Sequence, residues 1–129
     1  MSTEARRTVL VVEDDDVIRD ALRGLLSEDH DVVCVETLGA ARRLLGEVAF
    51  DALVLDLVLN EEHGEALLHE LAARHGPTPA VVVVSASKMA PTIARAYGVP
   101  VLGKPFDAEE LLKTLARAIE EERRPLQRV

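Results

Sequence analysis

Ala52-Leu53-Val54-Leu55 is a continuous apolar run, and Asp56 follows it without a break. The run is too short for a helix and suits a strand buried on both faces, as in a parallel sheet. A carboxylate is rarely left at the end of a buried strand unless something pairs with it. Other short, largely apolar runs match this one: Thr8–Val12, Asp31–Val35, Ala80–Val84 and a brief Pro100–Gly103, whose Pro suits a sheet edge.

Segments with helical spacing separate these runs. Glu13-Asp14-Asp15-Asp16 leads into Val17, Ile18, Ala21, Leu22, Leu25 and Leu26, with Asp15 or Asp16 placed as the N-cap. Leu38–Leu45 predicts a second helix, capped by Thr37 and stopped by Gly46. Asn60–His63 predicts a polar loop. Gly64–His75 predicts a third helix with Leu67, Leu68, Leu71 and Ala72 inward, ended by Gly76-Pro77. Met89–Tyr97 predicts a short fourth, with Pro91 in its first turn and Gly98 closing it.

After Lys104-Pro105-Phe106, Asp107 and Glu110 make a capping-box-like start, and Phe106 with Leu111 fits a hydrophobic staple. Leu111, Leu112, Leu115 and Ile119 give that last helix a buried stripe, and Glu120–Val129 reads as a fraying end and tail with Pro125 as the stop. Strand and helix thus alternate five times. Short loops and right-handed crossovers make this a doubly wound α/β domain, a five-stranded parallel sheet with five helices on both faces.

Composition narrows the class. A chain of 129 residues suits one domain, read here as 1–129 with tails at 1–7 and 123–129. A formal charge of −8 argues against a direct nucleic-acid partner. Cys34 lies in the run Val32-Val33-Cys34-Val35 and reads as a buried strand residue; as the only Cys it makes no internal disulfide, which suits a reducing compartment. No apolar run approaches the roughly 18 residues of a membrane span, and no apolar core follows the polar N-terminus as in a signal peptide. A cytoplasmic protein without a membrane partner is expected.

In a parallel sheet all the carboxyl ends of the strands meet at one edge, where ligands bind. There the first strand delivers Glu13 and Asp14, the third Asp56, the fourth Ser85 and the fifth Lys104. Carboxylates this close repel unless a cation offsets them, and an oxygen-rich set suits Mg²⁺. The ammonium and the hydroxyl suit a phosphoryl group beside the metal.

These residues resemble the receiver domain of two-component response regulators, of the stand-alone type. Val11-Val12-Glu13-Asp14-Asp15 resembles the acidic pair after the first strand, Leu53-Val54-Leu55-Asp56 the phosphoacceptor strand, Ser85-Ala86 the hydroxyl-Ala pair and Lys104-Pro105-Phe106 the Lys-Pro-Phe motif. Gly64 falls where the family has its Gly before the third helix. The match runs nearly the length of the chain, in the family's order.

The resemblance implies a flavodoxin-like (βα)5 fold with strand order 2-1-3-4-5. It implies that Asp56 is the nucleophile and takes a phosphoryl group from the phosphohistidine of a bacterial sensor kinase or phosphotransfer protein. Glu13, Asp14, Asp56 and the backbone carbonyl of Val58 would hold Mg²⁺, Lys104 would pair with the phosphate and Ser85 would hydrogen-bond it. The Lys104–Pro105 peptide would be cis. Such a protein is no enzyme beyond its own phosphorylation and dephosphorylation, and it signals through protein contacts to a target the sequence does not name. A homodimer through the fourth helix, fifth strand and fifth helix is one open arrangement.

Several positions depart from the family pattern. Asn60 stands where Pro is common, four places after the phosphoacceptor, and Val101 stands where an aromatic ring often reports phosphorylation. Val58 and Ser87 hold positions that tune phosphoryl lifetime in the family. Neither carries a carboxylate or amide to orient water, which implies slow self-hydrolysis.

Two other readings compete. A pseudo-receiver, a phosphorylation-independent binding module of the same fold, is motivated by Asn60 and Val101, and the intact Glu13, Asp14, Asp56, Ser85 and Lys104 argue against it. Another α/β enzyme fits less well: a dehalogenase-like phosphatase wants a second Asp where Val58 stands, and Glu13–Asp16 would repel a flavin phosphate. His30, His63, His69 and His75 read as solvated, with no pair at the spacing of a helical metal site; His63, in the loop after Asp56, is the one that could lie near a phosphate.

Overall fold

The computed structural model describes residues 6–121. The expected tail at 123–129 and the Pro125 stop lie outside the described residues. In chain order the elements are β1 (Arg7–Val12), α1 (Asp16–Leu26), β2 (His30–Val35), α2 (Leu38–Glu47), β3 (Ala52–Leu55), β4 (Val58–Leu59), β5 (Glu62–His63), α3 (Glu65–Ala73), β6 (Ala80–Ser85), α4 (Ala90–Tyr97), β7 (Val101–Gly103) and α5 (Ala108–Glu120).

The main sheet runs β2-β1-β3-β6-β7, every pair parallel. Counting only this sheet's strands, that is the expected order 2-1-3-4-5. The order first steps outward from β1 to β2 and then reverses through β3, which opens a crevice at the carboxyl ends of β1 and β3.

Alternation along each strand sorts the core into two layers. Leu10, Val12, Leu53, Leu55, Val81 and Val83 face α2, α3 and α4, meeting Leu38, Leu45, Leu67, Leu68, Leu71, Ala94 and Tyr97. Val9, Val11, Ala52, Val54, Val82 and Val84 face α1 and α5, meeting Leu22, Leu26, Leu111, Leu115 and Ile119. Burying each Leu contributes about 2 kcal/mol, so the sheet is clamped from both sides and its ends are held in place.

Local chemistry sets the helix ends. Asp15, not Asp16, caps α1, its Oδ1 accepting from Ile18 N–H at 3.0 Å. Thr37 Oγ1 caps α2 through Ala40 N–H at 3.1 Å, and Asp107 Oδ1 caps α5 through Glu110 N–H at 3.0 Å. Phe106 packs in the same layer as Leu111, as a staple requires. Gly98 closes α4 with φ 70°, a left-handed position that favours Gly. The Lys104–Pro105 peptide is cis.

Five expectations are corrected. Gly46 does not stop α2; it faces open space inside the helix, which runs on to Glu47 and ends at extended Val48. Helix α3 ends at Ala73 rather than His75, because Arg74 turns extended and its Nη2 donates to Leu45 O at 3.2 Å. The expected polar loop at 60–63 is the turn and second strand of a small antiparallel hairpin, Val58 opposite His63 and Leu59 opposite Glu62. Asn60 turns it at φ 43°, a conformation Asn tolerates, and Leu59 points fully inward. Cys34 is half-buried in β2 rather than enclosed. His30 is half-buried rather than solvated, its Nδ1 hydrogen-bonded to Leu26 O at 3.0 Å.

Val17 and Ala21 share α1's spacing but not its buried stripe. They lie on its exposed side, Val17 with 78% of its surface open. The inward stripe is Ile18, Leu22, Leu25 and Leu26.

Candidate functional site

The carboxyl ends of β1, β3 and β7 bring Glu13, Asp56 and Lys104 together. Register explains why. Val12 pairs with Leu55 across β1 and β3, so the residues just beyond them, Glu13 and Asp56, emerge side by side. Both side chains are nearly closed off from solvent, and Lys104 Nζ reaches between them, 2.6 Å from Glu13 Oε1 and 2.7 Å from Asp56 Oδ2. Lys104 reaches in from the end of β7, two strands beyond β3, which makes it an internal counter-ion to two buried carboxylates.

Backbone donors hold the remaining oxygens. Asp15 N–H donates to Glu13 Oε2 at 3.1 Å and Val58 N–H to Asp56 Oδ1 at 3.1 Å. Asp14 is half-buried, and its Oδ2 accepts from Asn60 N–H at 2.8 Å. Among the described residues no buried side-chain nitrogen or oxygen lacks a partner. Burial pushes the Glu13 carboxyl above its ordinary range, against the pull of Lys104. Burial works to lower the Lys104 ammonium, but its hydrogen bonds to Asp56 and Glu13 outweigh that and hold it above the usual lysine range.

One oxygen each from Glu13, Asp14 and Asp56 lies within 4.8 Å of the others. Their donor atoms are all oxygen, a set hard cations prefer. Three carboxylates against one ammonium leave two negative charges unbalanced, so the site fits a divalent cation in both charge and chemistry. Above it opens a cleft of about 670 Å³, walled on the strand side by Val58 and Asn60 and on the β6 side by Ala86 and Ser87.

Ser85 ends β6 and is buried, with Ser87 N–H donating to its Oγ at 3.2 Å. Val58 lines the cleft, as a residue offering its carbonyl must. His63 stands exposed on β5 opposite Val58. The structure therefore gathers Glu13, Asp14, Asp56, Val58 and Lys104 around one cleft, with Ser85 just behind its wall.

Sequence reasoning missed Arg19. Its side chain, only 12% exposed, curls back from α1, and Nη1 donates to the backbone oxygens of Glu13 at 3.2 Å and Asp14 at 3.4 Å. Nη2 pairs with Asp16 and with Glu36 at 3.1 Å, tying the acidic loop to the β2–α2 connection. The (i, i+3) spacing of Asp16 and Arg19 is a readable signal for one of these contacts; the others are visible only in three dimensions.

A doubly wound sheet ending in a carboxylate trio and a lysine defines a flavodoxin-like α/β domain with a cation-fitting carboxyl edge. The sequence profile of the response regulator receiver domain matches residues 9–116, and the chain belongs to that family, the receivers of two-component systems. It is 33% identical over 112 residues to the response regulator protein FleR of Pseudomonas aeruginosa, covering 84% of this chain and 24% of FleR. It is 31% identical over 121 residues to the DNA-binding transcriptional regulator NtrC of Rhizobium meliloti, covering 91% of this chain and 25% of NtrC. The chain thus spans about a quarter of the length of these curated relatives.

Solved structures agree on the fold. NtrX from Brucella abortus superposes with a TM-score of 0.81 at 30% identity, over 92% of this chain and 28% of NtrX. The signal receiver domain of an HD domain-containing protein from Pseudomonas fluorescens superposes at 0.83 with 24% identity, over 95% of this chain and 93% of that one. Among the described residues no helix is long and apolar enough to cross a membrane.

Proposed function

We propose that this receiver takes a phosphoryl group onto Asp56 from a phosphohistidine on a sensor kinase or phosphotransfer protein, in a Mg²⁺-dependent reaction. The observation that carries the reading is the single cleft that Asp56, Glu13, Asp14 and Lys104 share at the carboxyl edge of the sheet. An Asp56 oxygen attacks phosphorus, the phosphorus–nitrogen bond breaks, and the leaving imidazole keeps the electron pair and takes up a proton. Phosphoryl transfer needs charge neutralisation and in-line positioning more than acid–base chemistry. Glu13, Asp14, Asp56 and the Val58 carbonyl would hold the cation, which supplies a counter-charge for the phosphoryl oxygens. Lys104 exchanges its Asp56 carboxylate partner for a phosphoryl oxygen, and Ser85 turns its hydroxyl from Ser87 N–H toward another.

The chain turns over no separate substrate and acts in the cytoplasm. It passes its signal through protein contacts, and the surface of α4, β7 and α5 is the face for a target or a second copy. Intact mass after incubation with Mg²⁺ and acetyl phosphate tests the reading, with Asp56→Ala in parallel. A gain of one phosphoryl group, absent from the variant and from a chelated sample, supports it. No gain, together with no response to beryllofluoride, sinks it.

A further inference from the structure

Glu13, Asp14 and Asp56 stand within 4.8 Å of one another, and the Lys104 ammonium offsets one of their three charges. The remainder repels. Asp56 cannot yield, because it ends a strand in the middle of the sheet. The loop that carries Glu13 and Asp14 is the part able to give way, and one side chain from outside the acidic group holds it. Arg19, one turn into α1, donates through Nη1 to the backbone oxygens of both residues, leaving their carboxylates untouched. Its Nη2 pairs with Asp16 and, at 3.1 Å, with Glu36 in the β2–α2 connection.

That connection is itself held on every side. Glu13 N–H donates to Val35 O at 3.0 Å just before it. Thr37 caps α2 within it. Leu38 N–H donates to Glu62 Oε1 at 3.1 Å, in the hairpin that follows β3. Arg19 therefore ties the acidic loop to a fixed neighbour, and does so with a side chain that is only 12% exposed.

We propose that Arg19 is a positioning residue for the cation site. Its fork keeps the Glu13 and Asp14 backbone closed in the cation-free protein, so that Mg²⁺ meets a loop already in place. The proposal rests on the receiver reading above. Charge and geometry here have opposite signs. A guanidinium this near a cation site repels the cation, so its removal should tighten binding if charge were its whole effect. Removal of a group that orients ligand residues weakens binding instead, typically tenfold or more.

Two measurements on the full chain test it. The first is Mg²⁺ affinity by calorimetry for the unmodified protein, Arg19→Met and Arg19→Lys, with urea midpoints in chelator to show that each is folded. Arg19→Met is expected to bind about tenfold more weakly. Arg19→Lys keeps the charge but has no fork to span the loop and Glu36, and is expected between the two. Binding by Arg19→Met as tight as in the unmodified protein, or tighter, overturns the proposal while the receiver reading stands. Should Arg19→Met fail to fold, the same result in Arg19→Lys overturns it. No Mg²⁺ uptake by the unmodified protein overturns both. The second is amide hydrogen exchange in chelator. The Asp15 N–H, which donates to Glu13 Oε2, should exchange several-fold faster in Arg19→Met, while the Asp56 N–H, bonded to Val12 O within the sheet, keeps its protection. An unchanged Asp15 rate, or an equal acceleration at Asp56, overturns the proposal.

Discussion

Gly64 lies so close to Asp56 that a Cβ built on it would come within 2.3 Å of the Asp56 carbonyl oxygen and 2.9 Å of the Leu57 Cα. Its φ of −62° and ψ of −21° are ordinary helical values. Glycine is required here by space, not by backbone conformation. Its N–H also donates to Leu57 O at 3.0 Å, which seats the first turn of α3 against the end of β3.

Gly64→Ala must therefore push backbone, not a flexible side chain. It should cost about 2–3 kcal/mol, the upper part of the range for overpacking a tight site. Urea unfolding gives the cost. Because the displaced atoms belong to Asp56 and Leu57, the rate of phosphorylation by acetyl phosphate should fall in the fraction that remains folded. Unchanged stability would mean that α3 shifts freely away from β3.

Lys104→Met removes the ammonium between Glu13 and Asp56 and leaves two buried carboxylates facing each other. Breaking a buried pair by deleting one partner costs about 3 kcal/mol or more. Thermal unfolding in chelator should show that loss. Added Mg²⁺ should recover more stability in Lys104→Met than in the unmodified protein, since the cation then does alone what it otherwise shares with Lys104.

These two residues illustrate what a sequence discloses. Asp56 and Lys104 stand out because each is an ionisable group directly after an apolar strand, and the parallel sheet dictates that such strand ends meet. The alternation of strands and helices was legible for the same reason: each element carries its own periodicity. Gly64 could be placed but its reason could not, because the atoms it avoids belong to β3. Asn60 read as loop because its partner, Asp14, is 46 residues away, and Leu59 was passed over because a two-residue strand has no period to detect. Gly46 misled because glycine marks a helix end only when a left-handed turn is needed, and here none is.

Ser85→Ala separates the resting fold from the response. In this structure the Ser85 hydroxyl oxygen accepts from Ser87 N–H at 3.2 Å. Its loss should cost about 1 kcal/mol, a typical single hydrogen bond. Phosphorylation should still occur in Ser85→Ala, because Asp56 and the carboxylates are untouched. The change in the amide spectrum of β6 and α4 on adding beryllofluoride should shrink, since the hydroxyl that would follow the phosphoryl group is gone.

Arg42 and Glu70 form a two-pronged ion pair between α2 and α3, with Nε and Nη2 at 2.8 and 2.7 Å from the two carboxylate oxygens. The hydrogen bonds from Arg42 hold the Glu70 carboxyl below its usual range. A lowered folded-state value means the pair stabilises above the unfolded value of 4.5 and loses that stabilisation as pH falls through the folded value. Both side chains are 43% exposed, so the effect is small. Glu70→Gln should be slightly less stable than the unmodified protein at pH 7, and urea midpoints should converge as pH drops below 4.5.

Phosphoryl lifetime is set by how well water is oriented toward the aspartyl phosphate. Val58 walls the cleft with 51% of its surface exposed and offers water only an apolar side chain. Across the cleft, the Ser87 hydroxyl oxygen is already engaged by Met89 N–H at 3.1 Å. Neither side chain carries a carboxylate or amide to orient a water in line with the phosphorus, so the acyl phosphate should decay slowly. Val58→Asn adds a donor and an acceptor at the open end of the cleft without touching Glu13, Asp14, Asp56 or Lys104. An amide orients water but does not take its proton, so the gain should stay below the roughly hundredfold that a general base supplies; about a tenfold faster loss of the phosphoryl group is expected. Decay of the phosphorylated mass after removal of acetyl phosphate measures it. Equal decay in the two proteins would show that water reaches the phosphorus by a path that avoids Val58, which leaves the side bounded by Ala86 and Ser87 as the route of attack.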